Sequence, residues 1–126
     1  MKILPTALTG LIFILGLTSL AASAGGEVNL KTVAVLYHDK ATLVGKTVVV
    51  QGKVVKVNNG IMGRNWIHVQ DGTGDAKSND LVVTSQQTAN VLDHVTVSGV
   101  VAINQDFGAG YAYPLLIQNA TIVVKK

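Results

Sequence analysis

Two stretches of this sequence share a spacing that few folds can use: Val48-x-Val50-x-Gly52-x-Val54 and Val95-x-Val97-x-Gly99-x-Val101. Valines at every second position turn one face of an extended strand inward. A glycine in the middle of such a strand lowers stability, because it loses backbone freedom on folding and offers no side chain to pack. It is tolerated where a long strand must bend sharply or bulge. Strands that coil around a closed barrel need such hinges, and strands of a flat sheet do not. The plainer alternative is two ordinary valine-rich strands whose glycines are incidental.

The rest of the chain supports the barrel. Residues 30–44, LKTVAVLYHDKATLV, form the one convincing helix. There Val33, Leu36, Tyr37 and Leu43 share a face, Thr32 suits an N-cap, and Gly45 stands where a glycine ends a helix. One amphipathic helix cannot bury its own apolar face, so it must cover something else. After Gly45, β-branched runs separated by turn residues predict five strands, at 47–57, 66–71, 81–84, 95–103 and 114–124. Asn58-Asn59-Gly60 ends the first strand, and Gly72-Thr73-Gly74-Asp75 the second. Five strands, with the two bent ones in first and fourth place, predict an all-β fold: a five-stranded OB-fold Greek-key barrel with one N-terminal helix before strand 1. The helix usual between strands three and four is squeezed into residues 85–93, room for a single turn.

The first residues read differently. Lys2 precedes an almost wholly apolar run at 3–20, and Ala21-Ala22-Ser23-Ala24 offers the A-x-A pattern of a cleavage site. Residues 1–24 are therefore expected to be a signal peptide and 25–126 a single domain, exported across the inner membrane to the periplasm. The alternative is an uncleaved membrane anchor. No cysteine follows the run, so lipid attachment there is excluded. The whole chain carries a net charge of +3, and removing Lys2 with the leader leaves about +2, weak for a nucleic-acid binder. The chain has no cysteine at all, which rules out a thiol nucleophile, a redox pair, a thiolate metal site and haem attachment.

Val69-Gln70-Asp71-Gly72-Thr73-Gly74 is similar to the end of the second strand and the following turn in many OB-fold nucleic-acid-binding domains. Ile61-Met62-Gly63-Arg64-Asn65-Trp66 and Phe107-Gly108-Ala109-Gly110-Tyr111-x-Tyr113-Pro114 resemble small exported single-OB-domain proteins of the NrfJ-like group. That resemblance implies a role beside exported multihaem cytochromes. It also implies the DNA-binding description such proteins often carry, which follows from a fold that hosts many functions.

An OB barrel binds across the outer face of strands two and three, between the loops joining strands one to two and four to five. If Ile67 and Val69 point inward, then Trp66, His68 and Gln70 point out onto that face. Phe107, Tyr111 and Tyr113 come from the four-five loop, and Lys53, Lys56, Arg64 and Asn65 flank the surface. Aromatic rings beside cations offer a stacking platform for a single-stranded nucleic acid or a sugar ring. Ile61, Met62, Phe107 and Tyr111 can instead fold over the open end of the barrel as a plug, with Trp66 beneath. Arg64 and Asn65 can equally hydrogen-bond loop backbone.

His38, His68 and His94 lack ligand-like spacing, so no metal site is expected from them. Asp71, Asp75, Asn79 and Asp80 do not follow a calcium-loop pattern and read better as a solvated turn. No nucleophile elbow or phosphate loop is present, so neither enzyme activity nor a cofactor is expected. The expected function is a non-catalytic binding or accessory module whose ligand is a protein partner or a small polyanionic or sugar molecule. The alternative is sequence-independent binding of single-stranded DNA or RNA, and a third reading is cation binding by the acidic loop. Residues 81–84 read as an edge strand open to pairing with a partner.

Overall fold

The computed structural model describes residues 29–126. The expected leader at 1–24 and the start of the expected domain lie outside the described residues. Helix α1 (Val33–Leu43) comes first, followed by strands β1 (Thr47–Ile61), β2 (Arg64–Gln70), β3 (Leu81–Ser85), β4 (His94–Asp106) and β5 (Ala112–Val124). The five strands form one sheet in the order β1-β2-β3-β5-β4, and β4 bonds back to β1 to close a ring. β3 and β5 run parallel, and the other pairs are antiparallel.

The two mid-strand glycines sit where the ring turns. β1 pairs with β4 from Thr47 to Lys53 and with β2 from Lys53 to Ile61, so Gly52 stands at the handover. A Cβ there would lie 2.7 Å from both the Gln70 carbonyl oxygen and Val69 Cγ1. Gly99 lies in the register shift between Ser98 and Val100, where a Cβ would meet Ile117 Cγ2 at 2.6 Å and the Gln118 oxygen at 2.8 Å. Both positions are glycine because another strand's backbone passes too close for any side chain.

Valines 48, 50, 54, 95, 97 and 101, with Ile67, Val69, Leu81, Val83, Leu115 and Ile117, fill the ring's interior. Val33, Leu36 and Leu43 of α1 join that cluster, and Tyr37 packs at its margin. Thr32 is the N-cap, its hydroxyl accepting from the Val35 amide, and Gly45 follows the helix at φ +84°.

Three expectations are corrected. Asn58-Asn59-Gly60 does not end β1, which continues to Ile61. The turn is instead Met62-Gly63, both at positive φ (55° and 75°), the geometry of a two-residue hairpin. Residues 86–93 hold bends and one β-turn rather than a helical turn. There the Asp93 amide donates to the Asn90 carbonyl with Leu92 at φ +81°. Finally, β3 is not an edge, because it pairs with β2 on one side and, at Val82 and Val83, with β5 on the other. Beyond Val83 the two strands splay, and side chains bridge the gap. Ser85 Oγ donates to the Ala120 carbonyl at 2.6 Å, and Gln87 Oε1 accepts from the Ile122 amide at 2.7 Å. These bonds occupy backbone groups that a foreign strand would need.

Candidate functional site

The alternation along β2 follows the expected phase. Ile67 and Val69 lie in the interior core, which leaves Trp66, His68 and Gln70 on the outer side. Trp66 is nevertheless fully buried. The outer side carries a second, smaller core in which Val82 of β3, Ala102 of β4 and Leu116 of β5 surround the indole. The β4–β5 hairpin closes over it. Gly108, Ala109 and Gly110 all take positive φ, and the turn is fixed by bonds from the Tyr111 amide to the Gly108 carbonyl and from the Phe107 amide to the Tyr111 carbonyl. This bend lays Phe107, Tyr111 and Tyr113 against Trp66, with ring centroids 5.2, 4.9 and 5.7 Å away. The indole Nε1 donates to the Ile61 carbonyl at 2.9 Å, so the buried N–H is satisfied.

The aromatics therefore pack rather than present the indole as an open platform. They cover the outer face of the sheet instead of plugging an end of the ring. Arg64 sits on the rim of this cap, its guanidinium carbon 5.1 Å from the Phe107 ring centroid and 5.8 Å from that of Trp66. Asn65 secures the hairpin: its Oδ1 accepts from the Gly60 amide and its Nδ2 donates to the Gln87 carbonyl at 3.1 Å.

Beside the cap, His68 and Gln70 converge on Asp80. His68 Nδ1 lies 2.6 Å from Asp80 Oδ2, and Gln70 Nε2 donates to Oδ1 at 3.2 Å. The Tyr37 hydroxyl donates to the Asp80 backbone carbonyl at 2.6 Å. Burial, reinforced by the nearby Asp80 charge, pushes the Tyr37 hydroxyl above its ordinary pKa. Tyr113 is raised by burial first, then by Tyr111 and Asp80. Lys53 and Lys56 are exposed on β1, in register with Gln70 and His68. They flank the polar side of this face and do not join the aromatic cluster.

The Asp-Gly-Thr turn after β2 has a task that the sequence reading missed. Asp71 Oδ2 accepts from the Val33 amide at 2.9 Å, and Thr73 Oγ1 accepts from the Ala34 amide at 2.9 Å. Thr32 serves the Val35 amide, so the first three free N–H groups of α1 are all satisfied, two of them from a distant turn. One clue was available: the first turn of α1 contains no acidic residue of its own, so the carboxylate favoured there comes from elsewhere in the chain. Burial alone would raise the Asp71 pKa, but hydrogen bonds from the Thr73 hydroxyl and the Val33 amide outweigh it and hold the carboxyl below its ordinary value. Asp75 is also held low, by the Lys77 amide and the Ser78 hydroxyl. The carboxylates of Asp71, Asp75 and Asp80 thus serve three separate internal networks. Among the described residues, no group of three metal-ligating side chains comes together.

A groove of about 580 Å³ lies in the notch where β3 and β5 splay. It is lined by Arg64, Thr84, Gln86, Gln87, Gln118 and Thr121, among others.

No family model matches the chain, and no curated protein does. Among solved structures, a crystal structure described as an aspartyl-tRNA synthetase from Leishmania major Friedlin aligns with 87% of this chain at a TM-score of 0.56 and 13% sequence identity. The chain spans 23% of that protein's length. At that identity the likeness is one of fold.

Proposed function

We propose that this chain is an exported, non-catalytic OB-fold module that docks a protein partner through the cap formed by Arg64, Phe107, Tyr111 and Tyr113. The strand order and the parallel β3–β5 pairing accord with an OB barrel. The observation that carries the reading is the burial of Trp66 beneath the chain's own β4–β5 hairpin. In an OB barrel the outer face of β2 and β3 is where a single strand would stack its bases, and here it is occupied. The half-buried edges of one arginine and three aromatic rings remain in reach of a partner. Arginine and tyrosine are favoured as interface anchors, and a cap already fixed by ring contacts and turn hydrogen bonds loses little freedom on binding. The internal engagement of Asp71, Asp75 and Asp80 favours binding over acid–base chemistry. The resemblance to NrfJ-like proteins makes an exported multihaem cytochrome the first partner to test.

In a pull-down with that partner, Arg64→Ala with Tyr111→Ala is expected to abolish capture while leaving the circular dichroism spectrum unchanged. Unchanged capture rejects the cap as the docking surface. Single-stranded nucleic-acid binding is the second reading, supported by the fold likeness to a protein described as a tRNA synthetase. Trp66 is the chain's one tryptophan, so the two readings separate by fluorescence. The cap reading expects no change in Trp66 emission when oligodeoxythymidylate is added at low salt. Quenching that fades steeply as salt rises would install the nucleic-acid reading instead.

A further inference from the structure

The outer surface where β1, β4 and the end of β5 meet carries cations that neither the core nor the cap uses. Strand register sets Gln70 of β2, Lys53 of β1 and His94 of β4 side by side. The Lys125 amide donates to the His94 carbonyl at 2.8 Å, which extends this row past the end of β5. Val54 and Val95 are buried in the interior, so their neighbours Lys53 and His94 face outward. Lys53, His94 and Lys125 are all exposed. Hollows of about 510 and 130 Å³ meet at Gln51, Gly52 and His94, the first lined also by Lys53 and the second by Lys125. A third, of about 240 Å³, shares Gln51 and adds Lys31. The three form one trough across the middle of β1.

Lys53 faces Gln70 and His94 across its two neighbouring strands, so no carboxylate stands opposite it in the sheet. Among the described residues the ion pairs are His38–Asp39 and His68–Asp80, so Lys31, Lys53 and Lys125 have no carboxylate partner. Asp71, the acid lining the trough, has both oxygens engaged by Val33 and Thr73. Lysines often guard open sheet edges, but β1 at Lys53 is paired on both sides. We propose that this trough binds a linear phosphate chain, held by Lys31, Lys53 and Lys125 with His94 and the Gln51 amide between them. Strand spacing puts Lys53 and Lys125 roughly 10 Å apart along the row, a span suited to linked phosphates rather than to a single small anion. Two sources supply such a chain, free oligophosphate and a nucleotide backbone.

The test is tripolyphosphate titration at low salt, followed by amide chemical shifts. Shifts are expected at Gln51, Lys53, His94, Thr96 and Lys125. Lys53→Gln with Lys125→Gln should weaken binding roughly ten-fold or more, as loss of two phosphate contacts implies. Lys46→Gln with Lys77→Gln, equally exposed, should leave it unchanged. A parallel titration with oligodeoxythymidylate distinguishes the sources: shifts of the same residues by both probes indicate a phosphodiester backbone, and by tripolyphosphate alone a free oligophosphate. Absent shifts, shifts spread evenly over the surface lysines, or shifts centred on Arg64 overturn the proposal. The trough shares no residue with the cap, so its failure leaves the docking surface standing.

Discussion

Replacing Asp71 with alanine tests whether the turn after β2 belongs to the fold or to a ligand. The wild-type carboxylate accepts from the Val33 amide at 2.9 Å, the Thr73 amide at 3.0 Å and the Thr73 hydroxyl at 2.6 Å. Alanine strands two backbone donors and removes a negative charge from the start of α1. Loss of a helix cap costs about 0.5–2 kcal/mol, and loss of the favourable charge about 0.3–1 kcal/mol more. The second stranded amide adds roughly 1 kcal/mol, at the low end because the site is half-exposed and water can replace the acceptor. The expected loss is about 2–4 kcal/mol, a fall in Tm of roughly 10–30 °C for a domain of this size. Urea and thermal unfolding measure the total, and amide exchange locates it: Val33 and Ala34 should lose protection before the strands do. Asp71→Asn keeps an acceptor and should fall between. A loss below about 0.5 kcal/mol, or unchanged exchange at Val33 and Ala34, refutes the capping argument.

The folded pKa values of Asp71 and Asp75 lie below their unfolded ones. Their contribution is therefore intact above about pH 4 and disappears as pH falls through the folded values. The urea midpoint should drop on acidification, and Asp71→Asn should flatten that drop. Tyr37 and Tyr113 are raised, so the support they give is complete below about pH 10 and is lost above it as pH passes their folded values. Leu92 is 67% exposed and sits at φ +81° in the third position of the Asn90–Asp93 turn, a position that prefers glycine. Leu92→Gly should stabilise by about 0.5–1 kcal/mol in chemical denaturation, the strain relieved less the added freedom of the unfolded chain. Gly99→Ala should cost about 1–3 kcal/mol in the same assay, because the Cβ meets the Gln118 carbonyl oxygen, which side-chain rotation cannot move.

Much of the architecture was legible because it rests on local periodicity. Period-two valines, the mid-strand glycines and the Thr32 and Gly45 helix ends specify faces, hinges and caps within a few residues of themselves. The inward turn of Ile67 and Val69 followed from alternation alone. The strand break expected at Asn58 was wrong because the hairpin uses positive φ at Met62-Gly63, a backbone choice composition does not announce.

What the sequence determined, then, was the set of five strands and one helix and which side of each strand is apolar. Tertiary structure decided what covers the outward side chains. Trp66 is buried because Val82, Ala102 and Leu116, distant in the chain, share its outer patch and the aromatic hairpin bends back onto them. Asp71 is a helix cap because ring closure brings the end of β2 to the start of α1. Burial and capping depend on contacts between residues tens of positions apart, and periodicity describes only one strand or helix at a time.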